Sequence, residues 1–198
     1  EEAATLPHAG LLAQQGIELL DGKKCEKILI NGAGGGVGTL AVQILKKDGI
    51  RIDGVDTGKK LNDMQKLGFD NVFDYKKSDL RKIGEKYDFI LDTKSMFWPW
   101  DYVRRLENNG IYITVGGNLT NLISILILKG LTKLLTKKTL RILALKPNAG
   151  LEKFIHSYVK SSMKSLIDGP YPFESAATAL AKFGHGKHSG KVLLKLRT

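Results

Sequence analysis

The sequence predicts an α/β fold: a doubly wound, six-stranded parallel sheet of the Rossmann type with helices on both faces, followed by a short C-terminal strand–helix–strand tail. Three observations predict it. Strand-like apolar runs alternate with helical patterns across most of the chain, joined by short connections, which is the rhythm of a parallel sheet covered on both sides. The run Lys27–Asn31 enters a turn holding Gly32, Gly34, Gly35, Gly36 and Gly38, and a helical pattern follows at once. A second strand-like run, 51–55, ends at Asp56. Together they give the strand–glycine turn–helix–strand–acid order of a dinucleotide site.

Each element has its own signal. Ile28, Leu29 and Ile30 form the apolar centre of the first strand. Val37, Leu40, Ala41, Ile44 and Leu45 share one face of a helix over 37–47, at the spacing of a 3.6-residue period. Further strands are expected at 71–73, 88–91, 110–115 and 139–145, and helices at 60–67, 95–107, 118–135 and 151–160. Pro99 suits the first turn of helix 95–107. Trp98 and Trp100 beside it are expected to pack at a domain or subunit surface. The tail reads as a strand at 165–168, a turn at Tyr171-Pro172, a helix at 174–183 and a last strand at 191–196. No repeat, low-complexity block or flexible linker interrupts this order.

Composition narrows the function. The 198 residues are 42% hydrophobic and 26% charged, a globular balance. The net charge of +11 comes mostly from lysines scattered along the chain. They are not interleaved with aromatic residues, so the charge reads as a solvated surface that attracts an anionic cofactor, and not as a nucleic-acid interface. One cysteine, Cys25, excludes a disulfide framework and a four-cysteine zinc lobe. With no basic signal region at the N-terminus, the cytoplasm is the expected compartment. The opening Glu1-Glu2, without Met, reads as a piece of a longer product. Segment 119–135 is strongly apolar but broken by Lys129 and Lys133. It is expected to pack against the next strand or a partner subunit, with no integral membrane span.

The glycine turn carries the site. Gly35, Gly36, Val37 and Gly38 would offer backbone N–H groups to a pyrophosphate, with Gly34 allowing the turn. Their other reading is close helix–sheet packing. Asp56 can hold the adenosine ribose and repel the 2′-phosphate of NADP. Lys59 and Lys60 stand just beyond it, after Thr57, and could hold that phosphate instead; Asp56 could also be a plain turn residue. NAD(H) is favoured over NADP(H). Thr93 after the fourth strand and Val115-Gly116 after the fifth lie at the carboxyl edge of the sheet, where a cofactor rests. His185 and His188 have no acid or cysteine nearby and read as a surface turn, with no metal site and no zinc. His8 and His156 read the same way.

The ordered motifs resemble the medium-chain dehydrogenase/reductase superfamily, and within it the zinc-independent quinone oxidoreductase-like branch. EAATLPHAGLLAQQG (2–16) resembles the segment before the family's cofactor domain. NGAGGGVG (31–38) with Gln43, LGFDNVFDY (67–75), YDFILD (Tyr87–Asp92), GIYITVGG (110–117), ALKPN (144–148) and the ending 171–194 resemble its later motifs. Leu12 stands where the family usually has Thr, and Ser95 where it often has Gly. The resemblance implies a single NAD(P)-binding domain over residues 1–198, with its core at about 24–160. The tail, 161–198, would pack on a GroES-like catalytic domain that this chain lacks. It implies hydride transfer from an NAD(P)H nicotinamide to a quinone or enone in the complete enzyme, and a homodimer formed through sheet edges. No catalytic side chain is assigned. Tyr75 resembles a residue near the adenosine, or simply packs on the sheet. Asn148 resembles a position near the nicotinamide, or caps the next helix. From a different class, the alternative is a non-catalytic dinucleotide-binding module acting as a sensor or scaffold.

Overall fold

The computed structural model describes residues 1–46, 49–79 and 84–196. In chain order the elements are α1 (Glu2–Glu18), β1 (Lys27–Asn31), α2 (Gly36–Leu45), β2 (Arg51–Asp56), α3 (Leu61–Lys66), β3 (Asn71–Asp74) and β4 (Tyr87–Asp92). They continue with α4 (Pro99–Arg104), β5 (Leu106–Thr114), α5 (Leu119–Thr136), β6 (Thr139–Ile142), α6 (Leu151–Lys160), β7 (Ile167–Pro172), α7 (Ala176–Gly184) and β8 (Lys191–Lys195). The first six strands form one parallel sheet in the order β3-β2-β1-β4-β5-β6. The expected α/β Rossmann architecture is therefore present, with β7 and β8 as a separate parallel pair.

Alternation along the strands builds the two faces. Ile28, Ile30, Phe89, Leu91, Ile111 and Ile113 point into one buried layer with α1, α2 and Phe154 of α6. Leu29, Val55, Ile90, Tyr112 and Leu140 point into the other, with Tyr102 and Val103 of α4 and Ile125 of α5. Both faces are covered, as a parallel sheet requires. Each fully buried side chain of this size contributes about 1.5–3 kcal/mol. The chain runs outward through β2 and β3 and then crosses back to β4. A crevice therefore opens where β1 and β4 diverge, the switch point at which such sheets bind ligands.

Several details depart from the sequence reading. Residues 2–18 form α1, although no helix is expected there. Pro7, Gly10 and Gly16 weaken its helical signal, but packing prevails: Gly10 lies so close to the Phe154 ring that a Cβ would come within 2.1 Å of it. Helix 95–107 shrinks to α4, because Ser95 takes a left-handed φ of +48° and Leu106 already pairs with Tyr87. Tyr171 and Pro172 form no turn. They continue β7, whose register shifts between Asp168 and Tyr171, where Pro170 has no N–H to give the ladder. Strand 139–145 ends at Ile142. Helix 37–47 ends at Leu45, and its last expected residue, Lys47, lies outside the described residues.

Candidate dinucleotide site

Three anchors shape the turn after β1. Gly32 takes φ +76°, and a Cβ on it would lie 2.0 Å from Thr93 Oγ1, so only glycine fits. The N–H groups of Gly32 and Ala33 donate to the Val55 carbonyl at 2.9 and 3.1 Å, which hooks the turn onto β2. The Gly34 N–H donates to Asp56 Oδ2 at 2.9 Å, and its carbonyl accepts from Gly190 N–H at 2.8 Å. Gly35 is the N-cap of α2, in extended backbone with φ −85°. Gly36 and Val37 open α2 at the crevice. First-turn N–H groups have no acceptor within their own helix and carry the positive end of its dipole, which suits a pyrophosphate.

A cavity of about 550 Å³ lies over this turn. Gly32, Gly35, Gly36 and Val37 form its floor; Thr93, Lys94, Met96 and Val115 line it from the β4 and β5 ends. His8, Ala9 and Leu12 of α1 close one side, and Phe183–Gly186, His188, Gly190 and Lys191 of the tail close another. Lys60 also reaches it. Its described lining carries these three lysines, Lys60, Lys94 and Lys191, and no acid. The size suits a small-molecule cofactor pocket and the charge suits an anion.

Asp56 sits behind the turn with no exposed surface. Besides Gly34 it accepts from the Thr57 N–H at 2.8 Å and pairs with Lys60 Nζ at 3.1 Å. Lys94 Nζ stands 3.8 Å away. Lys60 is 2% exposed. Burial pulls its ammonium below the usual lysine range, and Asp56 opposes this only in part. Behind Lys94, Asp92 organises the loop that follows β4. Its Oδ1 accepts from the Lys94 and Ser95 N–H groups at 3.0 and 2.8 Å and from Asn31 Nδ2 at 2.8 Å. Its Oδ2 accepts from Tyr112 OH at 2.8 Å.

The structure distributes the sequence-derived candidates unevenly. Gly35, Gly36, Val37, Thr93 and Val115 line the cavity. Gly34 and Gly38 build it: a Cβ on Gly38 would lie 2.6 Å from Ala33 Cα, so α2 is pressed onto the turn. Thr93 Oγ1 donates to the Asn31 carbonyl at 2.9 Å. The Gly116 carbonyl accepts from Ser95 Oγ at 2.5 Å. The Tyr75 N–H donates to the Asp56 carbonyl at 3.1 Å, and its ring lies beneath the Lys94 ammonium, 5.3 Å from centroid. Asn148 is exposed, outside the cavity lining, at φ +61°. Nor does it cap α6, whose N-cap is Gly150.

Lys94, Lys191, His8, His185 and His188 also line the cavity, although nothing in the sequence marks them as site residues. His185 lies in an exposed turn, in keeping with the surface-turn reading, while His188 is half-buried; the 184–190 loop also walls the cavity, where Gly190 is bonded to Gly34. The His188 ring stacks on Phe183, centroids 4.8 Å apart, and its buried Nδ1 has no hydrogen-bond partner among the described residues. Burial first, and Lys60 second, pull this imidazole below its usual range. Burial and Asp88 push the Cys25 thiol up to about 11, so it is no reactive thiolate.

Residues 67–194 match the profile of a family described as zinc-binding dehydrogenase. The chain belongs to that family. It corresponds to the C-terminal NAD(P)-binding part of a medium-chain dehydrogenase/reductase. Among similar proteins is the chloroplast envelope quinone oxidoreductase homolog of Arabidopsis thaliana, 32% identical, matched over 98% of this chain and 61% of its own length. The 2-methylene-furan-3-one reductase of Solanum lycopersicum is 26% identical, over 98% of this chain and 46% of its own. The quinone oxidoreductase structure from Coxiella burnetii superposes with a TM-score of 0.78 at 23% identity, over 98% of this chain and 60% of that one. The chain thus spans about 61% of the length of the first curated relative it matches. Although the family description names zinc, no three His, Cys, Asp or Glu side chains stand together as metal ligands among the described residues.

Proposed function

We propose that this chain is the cofactor-binding part of an NAD(P)H-dependent quinone or enone oxidoreductase that works without zinc. The observation that carries the reading is the cavity over Gly35–Val37, with no acid in its described lining, at the N-terminus of α2 and the β1/β4 switch point. When bound, the cofactor supplies the hydride from nicotinamide C4. The chain's own residues bind and orient. The first turn of α2 holds the pyrophosphate, and Lys191 at the cavity wall offsets part of its charge. Thr93, Val115 and Met96, at the ends of β4 and β5, shape the nicotinamide end. NAD(H) is favoured over NADP(H), supported by the Asp56 carboxylate at the end of β2. The margin is small because Lys60 offsets that charge at 3.1 Å.

The tail, in which Phe173, Leu180 and Leu196 are exposed by 56%, 64% and 68%, is the proposed seat of a catalytic domain. A homodimer is proposed through β6, which among the described residues pairs only with β5, and the exposed apolar face of α5. By length and composition α5 could cross a membrane, but it serves here as the crossover between β5 and β6, with Asn121, Ser124, Ile125 and Thr132 buried. The cytoplasm is the proposed compartment, supported by the single free thiol; fractionation of tagged cells that places the protein in an organelle would refute it.

A turnover assay tests the activity. A second domain that excludes water and aligns the acceptor is worth roughly 7–11 kcal/mol of barrier. The chain alone is therefore expected to oxidise NADH or NADPH negligibly with quinones and enones, and to turn over once a catalytic domain is joined to it. Steady turnover by the chain alone on the order of 10 per second would overturn this division of labour.

A further inference from the structure

We propose that Lys94 is a specificity-determining residue that admits the 2′-phosphate of NADP(H) as an alternative to the free ribose of NAD(H). The inference rests on the dinucleotide reading above.

Lys94 follows β4, at the pyrophosphate part of the crevice, yet its side chain crosses the glycine turn toward the end of β2. Its stem passes over Gly32, where a Cβ would lie 3.0 Å from Lys94 Cγ. Its ammonium reaches a point 3.8 Å from Asp56 Oδ1 and 5.3 Å from the centre of the Tyr75 ring. The tail limits it on the far side, since a Cβ on Gly186 would lie 3.4 Å from Lys94 Nζ. Four separate segments therefore fix where this charge sits.

The acid at the end of β2 marks where the adenosine ribose 2′ position lies. A phosphate there carries about −1.5 to −2 charge at neutral pH, and Asp56 repels it. Lys60 is 2% exposed and wedged beneath Gly34, where a Cβ would lie 2.6 Å from Lys60 Cδ. Its single charge cancels that of Asp56 and leaves nothing over. Lys94 adds the surplus positive charge. At 26% side-chain exposure it is also the more accessible of the two ammonium groups. With no added phosphate it stays paired to Asp56 and over Tyr75, so NAD(H) binding does not depend on it.

The test uses the 198-residue chain and calorimetry with NADH, NADPH, 5′-AMP and 2′,5′-ADP. Lys94→Met keeps the stem over Gly32 and removes only the charge. It should weaken NADPH and 2′,5′-ADP by about tenfold to a hundredfold, the worth of one charge-assisted contact. NADH and 5′-AMP should be unchanged, and Lys94→Arg should restore NADPH binding. An equal loss for all four ligands would overturn the proposal by placing Lys94 on the phosphates that both cofactors share. No change for any of them would overturn it too. If the unmodified chain binds none of the four, the dinucleotide reading itself fails, which is a distinct result. Equal melting temperatures for parent and variants would show that the differences arise in binding.

Discussion

Asp56 illustrates how one side chain can serve fold and site together. Its buried carboxylate holds the Gly34 N–H and the Thr57 N–H and faces the buried Lys60 ammonium. Removing one partner of a buried ion pair is costly because the other charge is left uncompensated. Asp56→Asn should therefore lower stability by about 3–5 kcal/mol in denaturant unfolding. In the same protein the NADP(H)-to-NAD(H) affinity ratio should rise, because repulsion of the 2′-phosphate is lost. Unchanged stability would mean the pair contributes nothing to the fold; an unchanged ratio would mean Asp56 does not face the ribose. Asp56 is legible in the sequence because its signal is local: a strand end at a fixed distance after a glycine turn. Lys94 and His188 are not. Lys94 becomes a site residue only when β4 lies beside β1, and His188 only when Gly190 bonds to Gly34. Those pairings join residues far apart in the chain, and single-residue chemistry does not announce them.

At the scale of elements, the decisive contact is between α2 and the turn that precedes it. Alanine inside a helix gains about 0.5–1 kcal/mol over glycine. At Gly38, however, the added Cβ would lie 2.6 Å from Ala33 Cα and 2.6 Å from its carbonyl oxygen. Backbone cannot swing aside as a flexible side chain can, and overpacking costs about 1–3 kcal/mol. The clash should prevail, so Gly38→Ala should unfold at lower denaturant and bind cofactor less well; a stabilised variant would show that α2 has slack. The glycine spacing predicts this close approach. It does not predict α1, whose Pro7 and glycines mask a helix that exists because α2 and α6 need covering. In α5 the apolar run is legible, but which residues stay exposed is not. Leu119, Ile127 and Leu134 are 72%, 72% and 80% exposed, a patch that suits a partner surface. Sedimentation should find a dimer that Ile127→Asp with Leu134→Asp converts to monomer. A monomeric parent at tens of micromolar would count against the pairing.

For the whole molecule, the strand order dictates the rest. Two runs of parallel strands diverge between β1 and β4, the glycine turn lies at that divergence, and the tail returns to wall it. The architecture was legible from the alternation of strands and helices. The cavity wall built by the 184–190 loop was not, because the loop is brought to the turn by contacts between distant residues, among them the hydrogen bond from Gly190 to Gly34. The central claim is that this cavity holds a dinucleotide with its pyrophosphate against Gly35. Gly35 offers a clean test. Its backbone is extended at φ −85°, and a Cβ would meet nothing closer than the Gly32 carbonyl oxygen at 3.4 Å, so the fold accepts a larger side chain while an approaching phosphate does not. Calorimetric titration of NADH into the parent chain should show saturable single-site binding. Gly35→Val, at an unchanged melting temperature, should bind at least about tenfold more weakly, a loss of about 1.4 kcal/mol. Equal affinity in the variant, or no binding by the parent at millimolar NADH, would contradict the account.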